Sequence, residues 1–214
     1  MKNRGWFVAG TDTDAGKSVV TAWLMQMLGC SYWKPVQSGL EGETDTEAVR
    51  RMSGLEEVRF LPETYVLNAP MSPHESARRD GVSIEMARFA LPESDRPLLV
   101  EGAGGLMVPL NDDALMIDLM VQLDLPVLLV ARTGLGTINH TLLSLEAMRS
   151  RGLTIDGVVL SGAPYPSNTL AIERYGRIPV LAEIPWLDSP TPDALAAVRP
   201  LIPDYFERNR HESA

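Results

Sequence analysis

The sequence has a single cysteine, Cys30, and three histidines, His74, His140 and His211. One thiol excludes an internal disulfide, and Cys30 reads as a small buried residue at a turn rather than a nucleophile. The histidines stand far apart with no cysteine at ligand spacing, so no zinc site is expected. Long apolar runs are missing too. None approaches the roughly 18 residues that span a bilayer, and no membrane partner is expected. The stretch Gly5-Trp6-Phe7-Val8-Ala9 falls short of a signal-peptide core of about 7–15 residues. A buried first strand is the better reading, and a cytoplasmic location the expectation. Basic runs are absent as well: Arg50-Arg51 and Arg78-Arg79 are isolated pairs in a chain of net charge −9. Without a basic stripe, no nucleic-acid partner is expected. An anionic ligand stays open, but its site must be built locally from backbone N–H groups and a few lysines. No repeat, low-complexity tract or long linker interrupts the 214 residues. They read as one domain, with the polar residues 207–214 as a frayed tail.

What the chain does contain is apolar, β-rich runs alternating with amphipathic stretches. This is the pattern of an α/β fold, a mostly parallel sheet flanked by helices. Strands are expected at residues 6–9, 32–35, 98–101, 127–131, 157–161 and 180–182. Several are near-continuous apolar runs, as strands buried on both faces require. Helices are expected at residues 17–28, 45–52, 84–91, 115–123, 138–150, 169–175 and 192–201. Thr44 and Thr137 are the expected N-caps of the second and fifth. Residues 53–83, with Pro62, Pro70 and Pro73, read as an irregular excursion where a substrate site could be elaborated.

Chemistry gathers where strands end. The first strand runs into Gly10-Thr11-Asp12-Thr13-Asp14-Ala15-Gly16-Lys17-Ser18 and then a helix. Backbone N–H groups of such a loop converge on one spot and attract an anion. Lys17 would reach the β- and γ-phosphates of a nucleotide, and Ser18 would offer its hydroxyl to Mg²⁺. The spacing departs from G-x-x-x-x-G-K-[ST], with Thr11 where the earlier glycine belongs. Taken alone, Gly-Lys-Ser after a strand is also an ordinary strand–helix turn, but the context favours a single-domain P-loop NTPase-like fold. Lys34, in Lys34-Pro35-Val36-Gln37-Ser38-Gly39, ends the second strand and would face the same crevice; a plain surface lysine is the alternative. Glu101 ends the third strand before Gly102-Ala103-Gly104-Gly105 and could add a metal contact, with Asp45 completing the set alongside Ser18. Each has a plain counterpart: a glycine turn with an incidental acid, and a first-turn helix acid. Gly134-Leu135-Gly136-Thr137-Ile138-Asn139-His140 is a second glycine turn feeding a helix, suited to a carboxylate or simply a connection.

The ordered set of these four segments, with Ser72-Pro73-His74 and Glu183-Ile184-Pro185-Trp186-Leu187, resembles the dethiobiotin synthetases along nearly the whole chain. The resemblance implies a Mg²⁺- and ATP-dependent ligase of biotin biosynthesis. Its substrates would be 7,8-diaminononanoate, CO₂ and the nucleotide. It implies that Lys17 and the loop at Asp14, Ala15, Gly16, Ser18 and Val19 hold the phosphates. It further implies that Ser18, Asp45 and Glu101 arrange Mg²⁺. Thr13, Lys34 and Ser38 would face the reacting end of the diamine, with Lys34, Lys17 and Thr13 as the catalytic set. Pro185, Trp186 and Leu187 would lie near the base. A homodimer is implied, in which Gly136, Thr137 and Asn139 of one subunit take the distal carboxylate of substrate bound to the other.

Two departures stand out. Asp14 replaces a more frequent glutamate. Ser161-Gly162 stands where members of the family carry Asn-Asp against adenine, so other nucleoside triphosphates are also expected to serve. The rivals are a partition or septum-site switch ATPase, a cobyrinate-type amide synthase and a non-enzymatic nucleotide-binding module. The switch ATPases carry a lysine early in the loop where Asp12 stands here. The amide synthases bring a glutaminase domain for which this chain has no room.

Overall fold

The computed structural model describes residues 5–210. His211 and the end of the expected tail, residues 211–214, lie outside the described residues. The chain runs β1 (Gly5–Gly10), α1 (Lys17–Leu28), β2 (Ser31–Trp33), β3 (Val36–Ser38), α2 (Asp45–Ser53), β4 (Phe60–Leu61), β5 (Tyr65–Leu67), α3 (Pro73–Asp80), β6 (Leu98–Gly105) and α4 (Met116–Leu123). It continues β7 (Val127–Arg132), α5 (Thr137–Ser150), β8 (Ile155–Ser161), α6 (Pro166–Gly176), β9 (Val180–Ile184), α7 (Pro192–Ala196) and α8 (Pro203–Asn209). Seven strands pair in the order β4-β2-β6-β1-β7-β8-β9, and every pairing is parallel.

Parallel strands need crossover helices, so both faces of the sheet are covered. The period of two along β1 divides its side chains between two cores. Phe7 and Ala9 join the cluster built with α4 and α5. Trp6 and Val8 join the one built with α1 and α2. β1 therefore lies buried mid-sheet between β6 and β7. The carboxyl ends of β1, β6, β7 and β8 open on one crevice, where ligands of such sheets bind.

Several expectations are corrected. The second strand does not continue to residue 35. It stops at Trp33, because Pro35 has no N–H to continue a ladder. The Pro35 carbonyl instead accepts from the Thr64 and Tyr65 N–H groups, and β3 pairs with β5 in a separate two-stranded sheet. The helix expected at 84–91 is a single 3₁₀ turn at Met86–Arg88. Here the Tyr65 hydroxyl captures the Glu85 N–H at 2.9 Å, and Ile84 and Phe89 are separate buried anchors. Residues 53–83 are less irregular than expected, holding β4, β5 and α3. α3 opens on Pro73 and closes on left-handed Gly81, the usual asymmetry of helix ends. The helix expected at 192–201 stops at Ala196, because the Leu201 N–H turns back to the Leu181 carbonyl. The expected tail is helical as far as Asn209, and Phe206 packs edge-on against Trp23 at 5.0 Å. Thr44 caps α2 as expected, in a reciprocal box with Glu47. Thr137 does not cap α5; Gly136 holds that place at φ +92, and Thr137 is the first helical residue.

Candidate active site

The turn after β1 is shaped by what it leaves unpaired. Among the described residues, the N–H groups of Asp14, Ala15, Gly16, Lys17, Ser18 and Val19 have no protein acceptor; the next, Val20, donates to the Gly16 carbonyl. Six consecutive free donors at a helix N-terminus concentrate positive potential at one point. Gly16 makes this possible: it sits at φ +89, and a Cβ there would collide with the Ser161 hydroxyl. A Gly16→Ala variant is therefore expected to lose nucleotide affinity by more than about tenfold, from left-handed strain plus the clash. Calorimetric titration with MgATP checks this, and an unchanged affinity would refute the loop's role.

Lys17 curls back over its own loop, donating to the Asp12 carbonyl at 3.0 Å and the Thr13 carbonyl at 3.2 Å. It is only 5 % exposed. Burial, then repulsion from Lys34, pulls its ammonium down to about 8. An arriving phosphate would restore full charge to it.

Beside it lies a charge cluster in which Lys34 follows β2 and Asp45 opens α2, while Glu101 sits mid-strand, because β6 runs on through the glycines to Gly105 rather than ending at Glu101 as expected. Lys34 is 1 % exposed and Glu101 likewise 1 %. The Lys34 ammonium sits 2.7 Å from Asp45 Oδ2 and 3.1 Å from Glu101 Oε1, and donates to the Gly102 carbonyl at 3.2 Å. Burial works against the charge on Lys34, but the Glu101 and Asp45 carboxylates overcome it and hold the lysine above its ordinary value. For Asp45, burial opposes ionisation and the Lys34 charge wins, so its carboxyl lies below the usual range. The Ser18 hydroxyl bridges Asp45 Oδ1 at 3.2 Å and Glu101 Oε1 at 3.0 Å. Ser18, Asp45 and Glu101 are thus drawn to one point, as the sequence led us to expect. All three offer hard oxygen donors, the kind Mg²⁺ takes. Glu101 Oε2 is buried with no hydrogen-bond partner, an orphaned acceptor that a cation would satisfy. The residues fit the metal.

The other expected residues divide between this cluster, two clefts and the surface. The Ser38 hydroxyl, at the end of β3, is also buried without a partner. Thr13 is exposed in the turn between β1 and α1. A cleft of about 380 Å³ joins Asp14, Ala15, Gly16 and Val19 on one wall to Pro185, Trp186 and Leu187 on the other, with Ser161 between. Gly136 and Asn139 are exposed and line neither cleft, while Thr137 is buried with an unpartnered hydroxyl. Sequence reasoning missed Arg132 and Thr133, which also line the first cleft. The available signal was their position at the carboxyl end of a strand beside the loop. Burial pushes the Cys30 thiol up to about 12, so it carries no thiolate near neutral pH.

A family model described as an AAA domain matches residues 4–194. An ATP-dependent dethiobiotin synthetase BioD of Paramagnetospirillum magneticum is 51% identical over 197 residues, covering 92% of this chain and 95% of that one. The BioD of Rhodopseudomonas palustris is 52% identical over 190 residues, covering 89% of each. Among solved structures, a ParA family ATPase from Chlorobium tepidum superposes with a TM-score of 0.55 at 12% identity, covering 92% of this chain and 90% of the other. That likeness speaks to a shared P-loop NTPase-type fold alone. Identity of this extent, carried along nearly the full length of both chains, places the protein in the ATP-dependent dethiobiotin synthetase family.

Proposed function

We propose that this chain closes the cyclic urea of dethiobiotin from 7,8-diaminononanoate, CO₂ and ATP, as a ligase of biotin biosynthesis. The relatives' names support the activity. The observation that carries it is the meeting of the loop's six free N–H groups and Lys17 with the Lys34–Glu101–Asp45–Ser18 cluster. One amine of the substrate adds to CO₂ and becomes a carbamate. A carbamate oxygen attacks the γ-phosphorus, and ADP leaves. The second amine then attacks the carbonyl carbon of the mixed anhydride, inorganic phosphate departs with the C–O bond electrons, and the ring closes.

The chain's own residues serve this sequence by holding charge in place. Lys17 and the N–H groups of residues 14–19 bind the terminal phosphates. Lys34, kept cationic by two carboxylates, faces the oxygens on which negative charge builds between carbamate and phosphoryl group. Ser38 and Thr13 orient the diamine. Mg²⁺ held by Ser18, Asp45 and Glu101 would neutralise polyphosphate charge. A neutral amine needs no strong base, so the lack of a histidine in the cluster costs little. Placing two amines and a phosphoryl group in register supplies much of the acceleration.

The subunit arrangement belongs to the same proposal. An apolar groove of about 670 Å³ runs from Thr11 and Thr13 past Leu106 and Met107 to Leu143 and Ala147 of α5. Met107 and Leu143, which line it, are 54% and 61% exposed, apolar surface of the kind that partners cover. A second copy would cover it. The partner's Gly136, Thr137 and Asn139 would then present a helix N-terminus to the distal carboxylate of the diamine.

The direct test combines bicarbonate, MgATP and diaminononanoate and detects dethiobiotin by mass. Phosphate is expected only when diamine and bicarbonate are both present. Steady phosphate release without the diamine would instead favour a switch ATPase.

A further inference from the structure

The proposed nucleotide site leaves one cation unassigned. Of the residues lining the 380 Å³ cleft, Arg132 alone carries positive charge. Among the described residues its only partner is Asp12, at 3.5 Å from one guanidinium nitrogen, with both side chains about half exposed. That pair is long and single, and exposed pairs of this kind contribute little. Asp12 has a stronger use of its own, accepting the Thr13 N–H at 2.8 Å through its other oxygen. Among the described residues, no carboxylate therefore engages the planar fork of Arg132 with both of its oxygens.

Strand order fixes what Arg132 would meet. β1 delivers the loop, and the Thr11 N–H is bonded to the Val130 carbonyl of β7. Two residues on, Arg132 pairs in register with Ser161 of β8, and Ser161 with Ile184 of β9. Ile184 leads straight into Pro185, Trp186 and Leu187. The strand ends thus form a row: the loop, then Arg132, then Ser161, then the apolar wall where Trp186 is 79% exposed. A nucleotide laid along this row, terminal phosphates in the loop and base against the wall, brings its innermost phosphate beside β7.

We propose that Arg132 binds the α-phosphate of the nucleotide, leaving Asp12 to do so. This rests on the nucleotide site proposed above. Charge-assisted, bidentate contacts of this kind suit arginine in particular. Arg132 is a binding residue here. It contacts the part of the nucleotide that does not react, so the contact persists in the ground state and the transition state alike.

The experiment is calorimetric titration of the intact protein with MgATP, ADP and AMP, comparing wild type with Arg132→Gln and Arg132→Lys. For Arg132→Gln, all three nucleotides are expected to weaken by a similar factor, on the order of tenfold for one lost charged contact. Arg132→Lys recovers part of the loss. KM for ATP rises in step, while kcat at saturating ATP stays within about twofold. Weakening of ATP alone, with ADP and AMP unchanged, would overturn the assignment to the α-phosphate. Unchanged affinity for all three would overturn any phosphate contact. Lys17→Met, titrated in parallel, separates the two levels. If it too left ADP affinity intact, the loop itself would be misassigned, and the inference would fall with it.

Discussion

Replacing Lys17 with methionine is expected to abolish measurable MgATP binding, a loss of at least about a hundredfold, while raising the thermal stability of the free protein. The two effects share one cause. Lys17 is 5% exposed, and its charge has no carboxylate in contact, only two loop carbonyls. Folding therefore takes this ammonium out of water with partial compensation, and its value drops from 10.5 to about 8. Methionine keeps an apolar stem of similar length and removes the desolvation. The linkage has a definite sign. A lysine whose folded value is lowered binds fewer protons folded than unfolded between about pH 8 and 10.5, so wild-type stability rises with pH across that window. Below pH 8 the penalty is fully present, on the order of 3 kcal/mol before the lost hydrogen bonds are subtracted. The stability gap between Lys17→Met and wild type should be largest at neutral pH and close by about pH 10.5. Thermal unfolding at several pH values measures it. A variant less stable than wild type at pH 7 would show that the loop carbonyls hold Lys17 better than the burial argument allows.

Lys34→Ala is expected to lower kcat by about 10²–10³-fold, the usual cost of removing one preorganised donor to developing charge. Nucleotide affinity should change by less than about threefold. The asymmetry follows because Lys34 is already neutralised by Asp45 at 2.7 Å and Glu101 at 3.1 Å in the free protein. It adds little net attraction for a triphosphate at rest. Its charge is used as the carbamate and phosphoryl oxygens come together. The substitution also leaves Glu101 buried with neither an ion-pair partner nor a neighbour for Oε2, and breaking a buried pair on one side costs about 3–5 kcal/mol. A second variant separates the effects. Lys34→Arg keeps a charge beside Glu101 and Asp45 but displaces it, and is expected to regain most of the lost stability with little regain of turnover. Turnover recovering in full along with stability would make Lys34 a structural partner of Glu101 and nothing more.

The parts of this site that could be read from sequence are those written in local pattern. The loop follows an apolar strand and precedes a helix, so its free N–H groups were foreseeable. Lys34 and Glu101, 67 positions apart, could be brought together because a parallel sheet gathers strand ends on one edge, and β2 and β6 are neighbours. Asp45 and Ser18 joined them for the same reason, each opening a helix on that edge. What was missed depends on tertiary context. The amphipathic stretch 84–91 suggested a helix, but Phe89 packs edge-on against Tyr65 at 5.4 Å and Arg88 covers the same ring. Those contacts, with the Tyr65 hydroxyl bond to Glu85, win over a modest helical periodicity. α3 was hidden because Pro70 and Pro73 drew attention as breakers, although proline at a first turn favours a helix. Arg132 belongs to no motif, and only the register of β7 between β1 and β8 gives it meaning.

The central claim is that the ends of β1 and β2, with Glu101 of β6, form one cradle around a terminal phosphate and its metal. It is tested most directly by a crystal structure with Mg²⁺, a non-hydrolysable ATP analogue and diaminononanoate bound. The account predicts the Lys17 and Lys34 ammonium groups within about 3.2 Å of γ-phosphate oxygens, and Glu101 joining Ser18 and Asp45 around the metal. A nucleotide seated elsewhere, or Lys34 and Glu101 still paired and turned from the γ-phosphate, would contradict it.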